Sequence, residues 1–284
     1  MDPIPNAVIG GSGLYQLEGM TAVKAVEVDT PFGKPSDAII VGELEGIRVA
    51  FLPRHGRGHA ISPTELPARA NIYALKSLGV QRIIASSACG SLREDYAPRH
   101  IVIPDQLYDR TRHRAPHTFF DEGIVAHIGL ADPFCPELRQ VLLEAAQSAG
   151  ATVHDGGTMV VMEGPQFSTR AESAAYRQLG FDTIGMTALP EAKLAREAEI
   201  CYASMNLVTD YDVWYSEHGE VTVEMVVANM RANPETAKQI IRYALPAMEA
   251  MGDDVSCGCP TALAGAIITD PTRIPTSKKE QLRL

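Results

Sequence analysis

Asp210 and Asp212 stand two residues apart in Val208-Thr209-Asp210-Tyr211-Asp212, which closes the apolar-rich run beginning at Ile200. In an extended chain, residues i and i+2 point to the same side, so the two carboxyls would face one small volume. Mutual repulsion and partial desolvation there push at least one pKa upward. A carboxyl held protonated near neutral pH can donate a proton or a hydrogen bond to a ligand. The competing reading is a loop whose aspartates cap the following turn.

Other stretches carry groups suited to an anion. Gly10-Gly11-Ser12-Gly13 follows the apolar run Ala7-Val8-Ile9, and its glycines let backbone N–H groups approach a phosphate while Ser12 adds a hydroxyl. It is neither a full G-x-G-x-x-G nor a Walker loop, and Leu14 stands where a G-x-S-x-G elbow needs its last glycine. Arg54, in Pro53-Arg54-His55-Gly56-Arg57-Gly58-His59, offers a planar fork of donors to phosphate or carboxylate. His55 and His59 have helical metal-pair spacing, but Gly56 and Gly58 argue against a helix there; a solvated basic loop is the alternative. Phe167, at the Gly164-Pro165 turn, is a core plug or a platform for a ring, and Ser168 reads as a helix cap.

These groups need elements to position them, and the chain repeats a unit of amphipathic helix, glycine stop, apolar strand and small polar cluster. The first copy has a helix from Pro67 to Leu78, Gly79, a strand from Arg82 to Ala85, then Ser86-Ser87-Ala88-Cys89-Gly90-Ser91. In the second, a helix from Ala171 to Leu179 and Gly180 precede a strand from Phe181 to Gly185 and Met186-Thr187. The third is a helix from Pro190 to Ala198 and a strand from Ile200 to Val208, ending at the aspartates. Ala38–Val41 and Ile47–Leu52 read as a hairpin through Glu45-Gly46. Beyond Trp214 the pattern turns helical, from Thr222 to Arg231 and from Asn233-Pro234 towards Leu245. The expected fold is α/β: one domain over residues 1–284, with a short tail from about residue 250. Its central sheet is mixed but mostly parallel, and is flanked by helices. In such sheets ligands gather beyond the carboxyl ends of the strands, where the three polar clusters would meet.

Composition narrows the partners. A net charge of −10 argues against nucleic acid, though a small anion needs only a local basic pocket. No apolar run has transmembrane length, and Met1-Asp2-Pro3-Ile4-Pro5 lacks the features of a signal peptide, so a cytoplasmic protein with reduced thiols is expected. The five cysteines are scattered; Cys257-Gly258-Cys259 is a redox pair or half a metal site, but no second pair accompanies it, and no metal is expected.

From Gly10 to about Ala244 the chain closely resembles the 5′-methylthioadenosine phosphorylases of the purine nucleoside phosphorylase superfamily. The likeness rests on Gly10-Gly11-Ser12-Gly13, Thr30-Pro31-Phe32-Gly33-Lys34-Pro35-Ser36-Asp37, Arg54-His55-Gly56-Arg57, Ala88-Cys89-Gly90-Ser91-Leu92-Arg93, Glu163-Gly164-Pro165-Gln166-Phe167-Ser168 and Thr209-Asp210-Tyr211-Asp212. The resemblance implies phosphate contacts from Ser12, Arg54, His55, Ser87, the backbone of Ala88, and Thr187. It implies that Met186 lies against the ribose and that Phe167 and Ser168 line the base pocket. Asp210 and Asp212 would face purine N7 and the exocyclic amine, and Val223 and Val226 would line the 5′-methylthio pocket. His127 resembles the residue that a neighbouring subunit contributes, which implies a homotrimer or hexamer. Gly185 departs from the asparagine frequent in relatives. The implied reaction splits methylthioadenosine with inorganic phosphate as co-substrate and with no metal or organic cofactor.

Two enzymatic alternatives share these features. A phosphorylase for 6-oxopurine nucleosides would favour asparagine at Asp210, and a hydrolytic nucleosidase would not need so many anion-binding groups. A nucleotide-sensing scaffold is the non-enzymatic reading, which the intact phosphate and base residues oppose.

Overall fold

A computed structural model describes residues 2–11, 14, 19–114, 116–215, 228–229, 234–252 and 255–283. The strands are β1 (Asn6–Gly10), β2 (Thr21–Val26), β3 (Ile39–Leu44), β4 (Ile47–Pro53), β5 (Arg82–Ser91), β6 (Ile101–Ile103), β7 (Gln106–Arg110), β8 (Val153–Asp155), β9 (Thr158–Met162), β10 (Thr183–Gly185) and β11 (Cys201–Asp210). The helices are α1 (Ala68–Ser77), α2 (Pro136–Ser148), α3 (Arg170–Gln178), α4 (Ala188–Glu197), α5 (Pro234–Ala250) and α6 (Thr276–Gln281). The strands join in one sheet, ordered β2-β3-β4-β1-β5-β10-β9-β7, with β11 on the other edge of β5 and β6 and β8 beyond it. Parallel pairs predominate, and β2-β3-β4, β5-β10 and β6-β11 are antiparallel.

Strand alternation builds the two faces of the core. Val8, Ile84, Ala203 and Met205 pack with Leu138, Leu142, Ile240 and Ile241 of α2 and α5. Their chain neighbours Ala7, Ile9, Ile83, Ala85 and Tyr202 pack instead with Ile72, Leu75, Ala192 and Leu194 of α1 and α4. A central strand buried on both faces is apolar-rich; β11 is buried from end to end, with Ser204 and Asn206 interrupting its apolar residues before it closes on Thr209 and Asp210. Truncating Leu75, which is fully buried, to alanine would cost about 2–5 kcal/mol.

The hairpin stands as expected, with left-handed Glu45 and Gly46 (φ 53° and 75°) giving the twist a two-residue turn requires. Leu189 is extended (φ −117°, ψ 139°), so the regular part of α4 starts at the expected Pro190. Boundaries differ from expectation: β10 starts at Thr183 rather than Phe181, and α5 runs on to Ala250. β5 continues through Ser91 and β11 through Asp210, so the polar clusters are the last turns of strands rather than loops beyond them. Partner strands explain this: β11 pairs with β5 from Arg82 to Gly90, so the ladder continues after the side chains turn polar. The expected helix from Thr222 to Arg231 falls almost wholly outside the described residues. The cysteines are not scattered: the Sγ atoms of Cys135, Cys201, Cys257 and Cys259 lie within 4.8 Å of one another. Tertiary folding supplies the second pair that the sequence spacing did not reveal.

Candidate active site

Asp210 and Asp212 come together, but not by strand alternation. Asp212 adopts a left-handed conformation (φ 51°) and opens a short 3-10 turn, Asp212–Trp214. The chain folds back so that the Asp212 N–H donates to Asp210 Oδ1 at 2.8 Å. Both side chains are buried. Burial pushes the Asp210 carboxyl up to about 6, with Asp212 adding to the rise against hydrogen bonds from Thr209 and the Asp212 N–H. Thr209 Oγ1 lies 2.7 Å from Asp210 Oδ2 and 3.1 Å from the Cys89 carbonyl. Thr209 has only one hydroxyl hydrogen; when it points at Cys89, a proton on Asp210 Oδ2 satisfies the other contact.

Asp212 is also pushed upward, chiefly by burial, and the Ser173 and Ser168 hydroxyls restrain that rise. Neither reaches Oδ2 in hydrogen-bond geometry, and Asp212 Oδ2 is a buried acceptor without a partner among the described residues. Such a group is costly unless a donor arrives. Ser168 does not cap α3, as the sequence suggested. Thr169 does so, accepting from the Glu172 N–H while the Glu172 carboxylate accepts from the Thr169 N–H. That capping box leaves Ser168 buried beside Asp212, with its Oγ 3.7 Å from Met162 Sδ.

The hydroxyls that the resemblance assigns to phosphate lie on and beside the neighbouring strand, β5. Ser87 Oγ and Thr187 Oγ1 are 3.1 Å apart, although the residues are 100 positions apart in sequence. Pairing of β5 with β1 ends at Ala85, and pairing with β10 starts at Gly90. Since backbone polar groups alternate between the edges of a strand, the N–H of Ala88 faces the interval between these partners. On that edge the Ser86 carbonyl accepts from Arg54 Nη1 at 2.9 Å.

Arg54 is buried, and its fork is already engaged: Nε and Nη2 donate to Glu191 Oε2 and Oε1 at 2.8 and 2.9 Å, and Tyr202 Oη donates to Oε1 at 2.7 Å. The forked face that the sequence offered to phosphate thus belongs to Glu191. A guanidinium has five N–H hydrogens, so one on each terminal nitrogen remains. His55 is buried, stacked on His59 at 4.3 Å between ring centroids, and holds Nδ1 2.8 Å from the Ile61 carbonyl. Burial, then Arg54, lower its pKa to about 4. The neutral ring therefore donates from Nδ1 and presents Nε2 as an acceptor.

Glu163 ties the surrounding loops together. Its carboxylate accepts from the Arg112 and His113 N–H groups, from Arg114 Nε at 2.8 Å and from Thr64 Oγ1 at 3.2 Å. These bonds outweigh the opposing effect of burial and hold its pKa down to about 2. Phe167, four residues on in sequence, is exposed (39%), available for stacking rather than plugging the core. Met186 packs on Gly164, where a β-carbon would come 2.5 Å from Sδ. Gly185 is similarly crowded, because Met159 Cε occupies the space a β-carbon would take, at 2.2 Å.

His127 lies apart on an exposed segment, its N–H bonded to the Ala266 carbonyl at 2.9 Å. Ser12, Val223 and Val226 lie outside the described residues. Sequence reasoning passed over Glu191, Tyr202, Thr209 and Glu163. A signal existed for Glu191, a carboxylate sharing the helical face of Leu194, Ala195 and Ala198.

Buried carboxyls on β11 and a hydroxyl pair beside β5 thus sit on neighbouring strands of one mixed sheet, and the fold is that of a nucleoside phosphorylase. The chain belongs to the phosphorylase superfamily, whose family model matches residues 5–246. It is 58% identical to the S-methyl-5′-thioadenosine phosphorylase of Chloroflexus aurantiacus, over 97% of this chain and 94% of that one. It is 55% identical to the protein of the same name from Geobacter sulfurreducens, over 98% and 96%. Among solved structures, a methylthioadenosine phosphorylase from an antarctic soil metagenomic library superposes with a TM-score of 0.93 at 46% identity, covering 99% of this chain and 98% of that one. The Schistosoma mansoni methylthioadenosine phosphorylase in complex with adenine gives 0.87 at 36% identity, covering 93% and 98%.

Proposed function

We propose that this chain is an S-methyl-5′-thioadenosine phosphorylase, converting methylthioadenosine and inorganic phosphate to adenine and 5-methylthio-α-D-ribose 1-phosphate. The observation that carries the reading is the layout of β5. Ser87 and Ala88 face the anion side, and Gly90 pairs with Asp210, three residues beyond Ser87. At about 3.3 Å per residue the interval is about 10 Å, enough for a ribose between a phosphate and a purine.

Cleavage builds positive charge on the ribose and negative charge on the departing base. Phosphate attacks the anomeric carbon and stabilises the adjacent cationic centre. Ser12, Ser87, Thr187, the Ala88 N–H and the two remaining Arg54 hydrogens bind it, and His55 Nε2 accepts from a protonated phosphate oxygen. As the N-glycosidic bond breaks, its electron pair moves into the purine and N7 takes the proton of Asp210, worth about 10²–10⁴-fold in rate. Asp212 Oδ2 accepts from the exocyclic amine; a 6-oxopurine would leave it unpaired. Phe167 and Ser168 line the base pocket and Met186 the ribose. Val223, Val226 and a neighbouring subunit's copy of His127 enclose the methylthio end. The reading includes a homotrimer or hexamer in the cytoplasm, with no metal or organic cofactor in the reaction. Among the described residues, no helix is long and apolar enough to cross a membrane.

Incubating the purified protein with methylthioadenosine, with and without inorganic phosphate, tests this. Adenine should appear with phosphate only. Equal release without phosphate would make the protein a hydrolase.

A further inference from the structure

The amino end of β11 carries a second group of reactive side chains, remote from the aspartates at its other end. Cys135 directly precedes α2, its N–H donating to the Tyr202 carbonyl at 2.8 Å. Cys201 opens β11, its N–H donating to the Gln81 carbonyl at 2.9 Å. Cys257 and Cys259 arrive from the chain after α5, with Cys259 opening a 3-10 turn. The four Sγ atoms lie within 4.8 Å of one another, Cys201 and Cys257 at 3.4 Å. Three are buried and Cys257 is half-buried, all in or against the apolar core under α2 and α5.

A pair of disulfides needs only two separate contacts; it does not require four sulfurs to surround one point. A metal ion does. Tetrahedral Zn–S bonds of about 2.3 Å place sulfurs about 3.8 Å apart, the scale of this cluster. An all-thiolate, water-poor set of four selects a thiophilic ion of tetrahedral habit. We propose that Cys135, Cys201, Cys257 and Cys259 bind one zinc ion in a structural site. On binding, the four thiols release four protons as four Zn–S bonds form, leaving a net charge of −2 on the cluster. Cys201 and Asp210 are nine residues apart on one extended strand, about 30 Å, so the ion takes no part in the chemistry. It fastens the chain beyond α5 to the sheet. That same segment continues to Ala266–Ile268, which bonds the backbone of Val125 and His127.

The test is the metal content of protein expressed with zinc in the medium and purified under reducing conditions, by native mass spectrometry and elemental analysis. One zinc per chain is expected, released when a mercurial titrates the four thiols. Cobalt replacement should give thiolate-to-cobalt charge-transfer bands with the visible spectrum of a tetrahedral ion. Cys257→Ser should lose zinc to EDTA under conditions where the parent retains it, with a lower Tm and an unchanged kcat. If that variant fails to fold, the zinc content and cobalt spectrum of the parent still decide. Metal-free protein with four alkylatable thiols, protein whose cysteines are paired in disulfides, or one equivalent of iron in place of zinc would each overturn the proposal. None of these outcomes depends on which nucleoside the protein cleaves.

Discussion

Glu191 grips the guanidinium of Arg54 through both carboxylate oxygens, at 2.8 and 2.9 Å, in the buried interior. The pair turns a flexible cation into a fixed one, with one N–H on each terminal nitrogen left over. Removing one partner strands a buried charge, which costs about 3–5 kcal/mol, whereas replacing both with apolar groups of similar volume is often neutral. Urea denaturation should show Glu191→Leu strongly destabilised and Arg54→Met/Glu191→Leu much less so. Phosphorolysis should be lost in both. Recovery of activity along with stability in the double variant would remove Arg54 from phosphate binding.

Gly90 supports Asp210 by having no side chain. A β-carbon there would meet Asp210 Oδ1 at 2.9 Å and Ile184 Cγ2 at 3.0 Å. Gly90→Ala should therefore displace the acid and reduce kcat, by about 10²-fold if the carboxyl shifts by about 1 Å, with a small change in Tm. Steady-state kinetics beside a thermal melt separates the two. Unchanged kcat would show that the Asp210 position is not critical.

Met159 fills the space over Gly185, so Gly185→Asn overpacks the site. A cost of about 1–3 kcal/mol is expected, recovered when Met159→Ala is added. Failure of the second substitution to rescue stability would mean that the two side chains do not compete for one volume.

Glu163 makes stability depend on acid. Its folded pKa, about 2, lies below the ordinary 4.5. Its contribution is therefore complete above pH 4.5 and disappears as pH falls towards 2. The stability difference between wild type and Glu163→Gln, measured in urea, should be greatest near neutrality and shrink below pH 4.5. A difference that grows on acidification would contradict the assigned ion pair with Arg114.

Much of this was legible in the chain itself. Helical stripes, glycine stops and apolar runs locate α1, α3, α4, β1 and the β3–β4 hairpin, because each is written in local periodicity. The resemblance located Asp210, Asp212, Ser87 and Thr187 together, and the structure juxtaposes each pair. The local reason for the aspartate pair was different, since it depends on the left-handed Asp212 and not on strand alternation. The fate of Arg54 was hidden because Glu191 lies 137 positions away. The cysteine cluster was hidden likewise: Cys135 and Cys201 meet Cys257 and Cys259 only through the packing of α2 and the terminal segment against β11. Ser12, Val223 and Val226 lie outside the described residues.

The central claim is that Asp210 donates its proton to the leaving adenine. Burial raises its pKa from 3.8 to about 6 in the substrate-free protein, so the acid form is lost, and with it kcat/KM, as pH rises through that value. The direct measurement is the pH profile of adenine release at saturating phosphate for wild type and Asp210→Asn. The variant should fold, bind phosphate, turn over about 10²–10⁴-fold more slowly, and lack the alkaline fall. Turnover near that of wild type, with the same alkaline limb, would contradict the account.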